Sequence, residues 1–241
     1  MTPLTRTPPG PILGVWAHPD DETYLMAGVM ADAVRRGERV TLVTSTRGEL
    51  GSFDEERWPT ATLGEVRQRE MERCLEVLGV TEHRWLDYRD GGVPDVPHDE
   101  GLAKIHDILS DVAPMSVLTF GPDGMTGHPD HKTVSGWTAE AFGAVAPEGA
   151  KLFYATQTPE WAAEFVPVMN RFNVFMEEGT PPVTPPDRLG LRFDLSPELV
   201  ELKLRAIEAH TSQIEGMMAA FGADFFRRAM TSEFFTLGAE R

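Results

Sequence analysis

Two short segments of this chain carry side chains suited to metal-assisted hydrolysis, "HPDDE" at 18–22 and "HPDH" at 128–131. They supply His18, Asp20, Asp21, His128, Asp130 and His131. Imidazole and carboxylate together suit a borderline cation such as Zn2+, although another divalent transition metal accepts the same donors. A catalytic zinc takes about three protein ligands and keeps one position for water. His18, Asp21 and one of the histidines 128 and 131 complete that set. Three residues apart on a first helical turn, His18 and Asp21 lie on one side, which leaves Asp20 free beside the metal. Either segment alone reads as a turn in which Asp caps a helix and Pro fixes its start. Two such segments at successive strand ends are hard to dismiss as caps.

The elements that must position these residues follow a βαβ rhythm. "ILGVWA" (12–17), "RVTLVTST" (39–46), "HRWLDY" (83–88), "SVLTFG" (116–121) and "KLFYATQ" (151–157) read as strands, apolar as buried parallel strands are. Residues 21–36, 63–78, 99–112, 129–144 and 159–171 place apolar side chains at helical spacing. The expected fold is α/β, a mainly parallel sheet with helices on both faces. "SPELVELKLRAIEAHTSQIEGMMAAF" (196–221) opens on a Ser cap followed by Pro and predicts one long helix. Ligands of open parallel sheets bind beyond the carboxyl ends of the strands. Strand one ends in "HPDDE", strand two in "TRGE" (46–49), strand three in "YRDGG" (88–92) and strand four in "GPDGMTGHPDH" (121–131), so four polar segments face one edge.

In that order the segments "AHPDDE" (17–22), "TRGE", "LGEVRQREMERCLEVLGV" (63–80), "DYRDGG" (87–92), "GPDGMTGHPDH" and "AHTSQ" (209–213) resemble the PIG-L/LmbE-like deacetylases. The resemblance implies a Rossmann-like sheet and zinc-dependent removal of N-acetyl groups, commonly from N-acetylglucosamine units. It also implies His18, Asp21 and His131 as metal ligands and Asp20 as general base. His128 is implied to meet the developing oxyanion or to protonate the leaving amine, with Asp130 expected to hold its ring. Arg47 with Glu49, Arg67 and Asp90 fall where relatives line the site and bind substrate. One position departs: several relatives carry a tyrosine two residues before the first histidine of "HPDH", and here it is Thr126. The chemistry agrees with this assignment, because zinc lowers the pKa of its water to about 7 while a nearby carboxylate accepts the proton.

The bulk numbers narrow the partners. With 38 acidic and 22 basic side chains the formal charge is −16, which repels phosphate backbones and anionic lipid, so neither nucleic acid nor a membrane surface is expected. The 241 residues, 41% of them hydrophobic, suit one domain over 1–241, with proline-rich residues 1–11 as a flexible tail. The lone Cys74 rules out an internal disulfide, and the sequence shows neither a signal peptide nor a membrane span, so a cytoplasmic protein is expected. His83, His98 and His106 match no motif and read as surface residues, and His210 as a packed histidine. Met217, Met218, Phe221, Phe225 and Phe226 read as core or as a contact with a second copy. The loops 50–62 and 172–190 are expected to shape the pocket of a small N-acetylated substrate. A non-catalytic metal- or sugar-binding module is the competing reading, but it has no use for a free Asp20 and His128. A nucleotide-dependent oxidoreductase lacks its G-x-G-x-x-G turn after strand one.

Overall fold

In a computed structural model, which describes residues 7–241, the chain alternates strands and helices through its first two thirds. The order is β1 (Ile12–Trp16), α1 (Asp21–Arg35), β2 (Val40–Thr46), α2 (Thr60–Leu78), β3 (Glu82–Tyr88), α3 (His98–Val112), β4 (Ser116–Phe120), the short α4 (Gly124–Gly127), α5 (Pro129–Val145), β5 (Lys151–Thr156) and α6 (Pro159–Met169). The remainder holds β6 (Leu191–Asp194), α7 (Pro197–Ala209), α8 (Thr211–Phe221), α9 (Ala223–Ala229) and β7 (Ser232–Glu240). β1, β2 and β4 are buried along their whole length, which is why they read as unbroken runs of Val, Leu, Ile and Thr rather than as alternating patterns.

The seven strands form one sheet in the order β3-β2-β1-β4-β5-β7-β6. The first five are parallel, with Ile12 of β1 level with Val40 of β2 and Ser116 of β4. α1, α2 and α7 pack together on one face, and α3 packs on α5. The expected α/β sheet is therefore present, Rossmann-like in strand order and mainly parallel. The strand order reverses between the parallel neighbours β1 and β4, where the connections leave on opposite sides and a crevice opens at the carboxyl ends.

Two features of the carboxyl-terminal third differ from expectation. Residues 196–221 form two helices, because His210 leaves the helical region (φ −84°, ψ 53°) and the chain restarts at Thr211. β6 and β7 were not anticipated, and β7 runs antiparallel to both β5 and β6. The tail expected over 1–11 is also shorter in part. Residues 1–6 lie outside the described residues, but Thr7 is buried, Ser116 donates to the Pro9 carbonyl (2.8 Å) and Met115 N–H donates to the Pro11 carbonyl (2.9 Å). Those backbone acceptors make residues 7–11 a border of the sheet.

The helix that begins the site is clamped from behind. Lys203 of α7 and Glu233 of β7 form an ion pair of 2.7 Å with both side chains 1% exposed. Glu233 accepts the N–H groups of Gly28 and Val29, and Lys203 donates to the Tyr24 carbonyl (2.7 Å), so the pair is inserted into the backbone ladder of α1. Every charge in this buried group has a partner, the condition under which burying ions is tolerable.

Candidate metal centre and its cleft

The four polar strand ends do meet. β1 runs straight into His18, and Asp20 then takes φ 110°, a left-handed conformation unusual outside glycine, which turns the chain into α1. Glu22, wholly buried, accepts the Asp20 N–H through Oε2 (3.1 Å). Burial alone would lift the Glu22 carboxyl, but the neighbouring His210 outweighs it and holds Glu22 low. Strain of this kind persists where surrounding contacts over-determine it and is concentrated at functional sites.

Hydrogen bonding settles which ring nitrogens are bare. His18 Nε2 lies 3.2 Å from Asp130 Oδ2 and 3.1 Å from Asp90 Oδ1; carboxylates only accept, so this nitrogen carries a proton. His131 Nδ1 lies 2.9 Å from the Gly124 carbonyl, also an acceptor, so its Nε2 is left bare. The remaining nitrogens, His18 Nδ1 and His131 Nε2, face each other at 3.0 Å. Asp21 completes the corner, with Oδ1 3.5 Å from His131 Nε2 and Oδ2 3.8 Å from His18 Nδ1. Two lone pairs cannot face each other this closely without positive charge between them. A proton is one solution: against the burial that disfavours charge, Asp130 and Asp90 raise His18 to about 10. A divalent ion is the other. Tetrahedral ligands 2.0–2.1 Å from an ion stand about 3.3 Å apart, close to the spacings of these three donors. The residues fit the metal that the sequence leads one to expect.

His128 is nearby but differently engaged. Its Nδ1 accepts the Asp130 N–H (3.1 Å), leaving Nε2–H as the free donor, and burial together with His18 lowers its pKa. This contact corrects the role expected of Asp130. The Asp130 carboxylate, fully buried, accepts from His18 Nε2 and from Gly91 N–H (2.8 Å) and makes no hydrogen bond to the His128 ring. The reason is the helical turn: Pro129 starts α5, and His128 as its cap is bound by backbone, while Asp130 faces inward across the crevice.

Asp20 faces the cleft with Arg67 at 3.2 Å from its Oδ2, and burial raises its carboxyl above the usual range despite that cation. Asp21 is pushed up to about 7 by burial, with Asp20 adding to the effect and His18 opposing it. Asp90 goes the other way, down to about 2, because His18 and the Leu50 N–H outweigh its burial.

The residues expected to contact substrate fall into three groups. Arg67 borders the cleft but is only 4% exposed, and its terminal nitrogens donate to the Gly48 and Pro19 carbonyls and to Asp20, so it fastens two loops and the candidate base. Gly48, at φ 64°, is required there, since a Cβ would run into the Arg67 guanidinium. Asp90 borders the cleft but is bound to His18 and to Leu50 N–H (2.8 Å), and Glu49 accepts the Asp90 N–H (2.9 Å). Arg47 does not line the cleft. It pairs with Asp87 (2.6 Å) and Gln68 (2.9 Å) and lies over the Trp85 ring, acceptors on β3 and α2 that draw it away.

The cleft, about 560 Å³, is bordered by residues 50–53 and by Phe172, Asn173, Val174 and Met176, parts of the two loops expected to shape it. Leu50, Phe53 and Met176 are 49%, 68% and 61% exposed on its rim. Beside the metal corner a second, apolar arm opens among α1, α6, α8 and α9. Met217 and Phe221 border it, and Phe225 and Phe226 belong to a separate buried cluster there, so the carboxyl-terminal apolar group is largely core. His210 is packed against Glu22 (3.4 Å) and Thr23 (3.2 Å), as expected. His98 and His106 are exposed, and His83 is half-buried on β3, where it bonds Thr44 (2.9 Å) and burial lowers it to about 4. Glu22 went without a role in the sequence, although its place in "HPDDE" was the available signal. No helix among the described residues is long and apolar enough to cross a membrane.

Comparison with known proteins agrees with the geometry. The family described as PIG-L, GlcNAc-PI de-N-acetylase, matches residues 13–142. A 1D-myo-inositol 2-acetamido-2-deoxy-alpha-D-glucopyranoside deacetylase of Salinispora arenicola is 30% identical over 98% of this chain and 87% of its own length. An enzyme of the same name from Thermomonospora curvata is 31% identical over 94% of this chain and 89% of its own. Among solved structures, N,N'-diacetylchitobiose deacetylase from Pyrococcus horikoshii superposes with a TM-score of 0.65 at 23% identity, covering 94% of this chain and 82% of that one.

Proposed function

Because the chain belongs to the PIG-L family of GlcNAc-PI de-N-acetylases, we propose that it is a metal-dependent amide hydrolase that removes an N-acyl group from an amino sugar, glycoside or secondary-metabolite conjugate. The observation that carries the reading is the pair of imidazole nitrogens facing each other at 3.0 Å beside Asp21, with Asp20 open to the cleft one residue away.

His18, Asp21 and His131 would hold the ion, zinc by the character of the donors. When bound, it supplies a Lewis acid and a water acidic enough to lose its proton near neutral pH. Asp20 accepts that proton, a role its raised pKa favours, and returns it to the departing nitrogen. Arg67 and the Glu22 contact to its N–H fix the orientation of Asp20. His128 is already an acceptor at Nδ1, so its Nε2–H acts as a neutral donor toward the carbonyl oxygen as charge develops there, and the alternative of a protonated His128 would set a proton against the Asp130 N–H. Asp130 and Asp90 keep the His18 proton on Nε2 and so aim Nδ1 inward. With Thr126 beside His131 Nδ1 (3.3 Å), His128 stands without the tyrosine that several relatives add. A binding module would need the corner but neither Asp20 nor His128, and no observation favours it.

The test is acetate release from a panel of N-acetylated glycosides that includes the inositol glycoside acted on by the two actinobacterial relatives, with metal-loaded and chelated protein side by side. Metal-dependent release is expected. A metal-loaded protein that releases nothing from any member would overturn the reading.

A further inference from the structure

The crevice has two arms that adjoin at the metal corner and differ in size and in the polar groups they hold. The wide arm is open and mixed, with an apolar rim of Leu50, Phe53 and Met176 around a floor that carries the polar groups of His18, Asp20, Asp90, His128 and Gln213. The other is narrow and almost wholly apolar, about 130 Å³, bordered by Leu25, Trp161, Phe175, Phe221, Phe225 and Met230. Asp21, Tyr24, Thr126, His131, Val174 and Met217 border both, so the two arms adjoin at that corner.

A scissile amide held at this corner has a polar sugar on its nitrogen side and an acyl group on its carbon side. An acetyl methyl would leave the apolar arm unused. An apolar cavity of about 150 Å³ accommodates a six-carbon ring, so an arm of about 130 Å³ takes a chain of about four to six carbons. Such a space, enclosed by aromatic and methionine side chains, holds an alkyl chain and rejects the hydrated hydroxyls of a sugar. We infer that the apolar arm is an acyl-chain subsite, and that the preferred substrates carry an N-acyl group of about four to six carbons rather than acetyl. The inference rests on the amide-hydrolase reading above. It commits the arm to the carbon side of the bond, since the wide arm has the room and the hydrogen-bonding groups that a sugar amine needs.

The experiment compares methyl glycosides of N-acetyl-, N-butanoyl-, N-hexanoyl- and N-octanoyl-glucosamine, all of which free the same amine, detected with fluorescamine. Each methylene buried is expected to raise kcat/KM by up to about fourfold, so N-hexanoyl should exceed N-acetyl at least tenfold. Calorimetric binding of hexanohydroxamate against acetohydroxamate to the zinc-loaded protein supplies a readout independent of turnover, with the longer chain expected at least tenfold tighter. Leu25→Trp, which fills the arm from a partly exposed position, should erase the preference for the longer chain in both assays. Acetyl turnover with no gain along the series, and hydroxamates of equal affinity, would overturn the acyl subsite and leave the deacetylase reading intact. If no glycoside is turned over, that reading fails, and the two hydroxamate affinities alone decide the subsite. A gain from a hexyl aglycone on N-acetylglucosamine without a gain from N-hexanoyl would place the arm on the amine side and also overturn the inference.

Discussion

Asp20 and Asp21 are adjacent, chemically identical and assigned different work, so replacing each by asparagine separates the roles. Asn suits position 20 because it tolerates the φ of 110° that Asp20 adopts, whereas alanine there would add a left-handed strain of about 1–2 kcal/mol. The amide of Asp20→Asn still accepts from Arg67, now 3.2 Å from Asp20 Oδ2, and the Asp20 N–H keeps its bond to Glu22. What disappears is the proton acceptor alone. A positioned base contributes about 10² to 10⁴ in rate, so the barrier should rise by about 3–5 kcal/mol at ~1.4 kcal/mol per decade, with metal content near wild type. Asp21→Asn keeps an acceptor for the His18 N–H, which Asp21 Oδ2 binds at 2.8 Å, but removes the charge that faces His131. It should lose metal first and activity with it. Metal per chain measured by mass spectrometry, alongside kcat on any glycoside the wild type turns over, reads both. A fully active Asp20→Asn, or one that loses metal while Asp21→Asn keeps it, would refute the division of roles.

Four further outcomes are expected. His128→Ala should retain metal and lower kcat by about 10² to 10³, the loss of one oxyanion donor; an unchanged kcat would remove His128 from the reaction. Asp130→Asn, which weakens the hold on His18 Nε2, should lower metal affinity about 10- to 100-fold in a chelator competition, and unchanged affinity would show that Asp130 does not orient His18. Metal binding should release protons, because Asp21 titrates near 7 and His18 holds its extra proton to about 10: calorimetry in buffers of different ionisation enthalpy should count nearly two protons at pH 6 and nearly one at pH 8.5, so affinity rises with pH, and a count near zero at both would refute the corner as drawn. Lys203→Met should cost about 3–5 kcal/mol in chemical denaturation by stranding Glu233 inside the α1 ladder; a loss under 1 kcal/mol would mean that the pair is not as dry as drawn.

Local pattern alone determined the five parallel strands, the helices between them and the convergence of "HPDDE" and "HPDH" on one edge, because buried strands and amphipathic helices write their periods directly into the chain. It also supplied the types of the side chains proposed to hold a metal. Partner choice was not legible. Asp130 turned to His18 rather than His128, Arg67 to Asp20, Asp90 to His18 and Arg47 to Asp87, because each hydrogen bond joins residues at least 40 positions apart and depends on where loops from different strands come to rest. β7 escaped notice because its pairing with β5 joins Phe235 to Ala155 across 80 residues, and its outer half, exposed at the sheet end, lacks a buried strand's apolar signature. The apolar arm likewise exists only in three dimensions. Leu25, Trp161, Phe225 and Met230 look like ordinary core residues in sequence, and only the packing of α6, α8 and α9 over α1 leaves a space between them that opens on the metal corner.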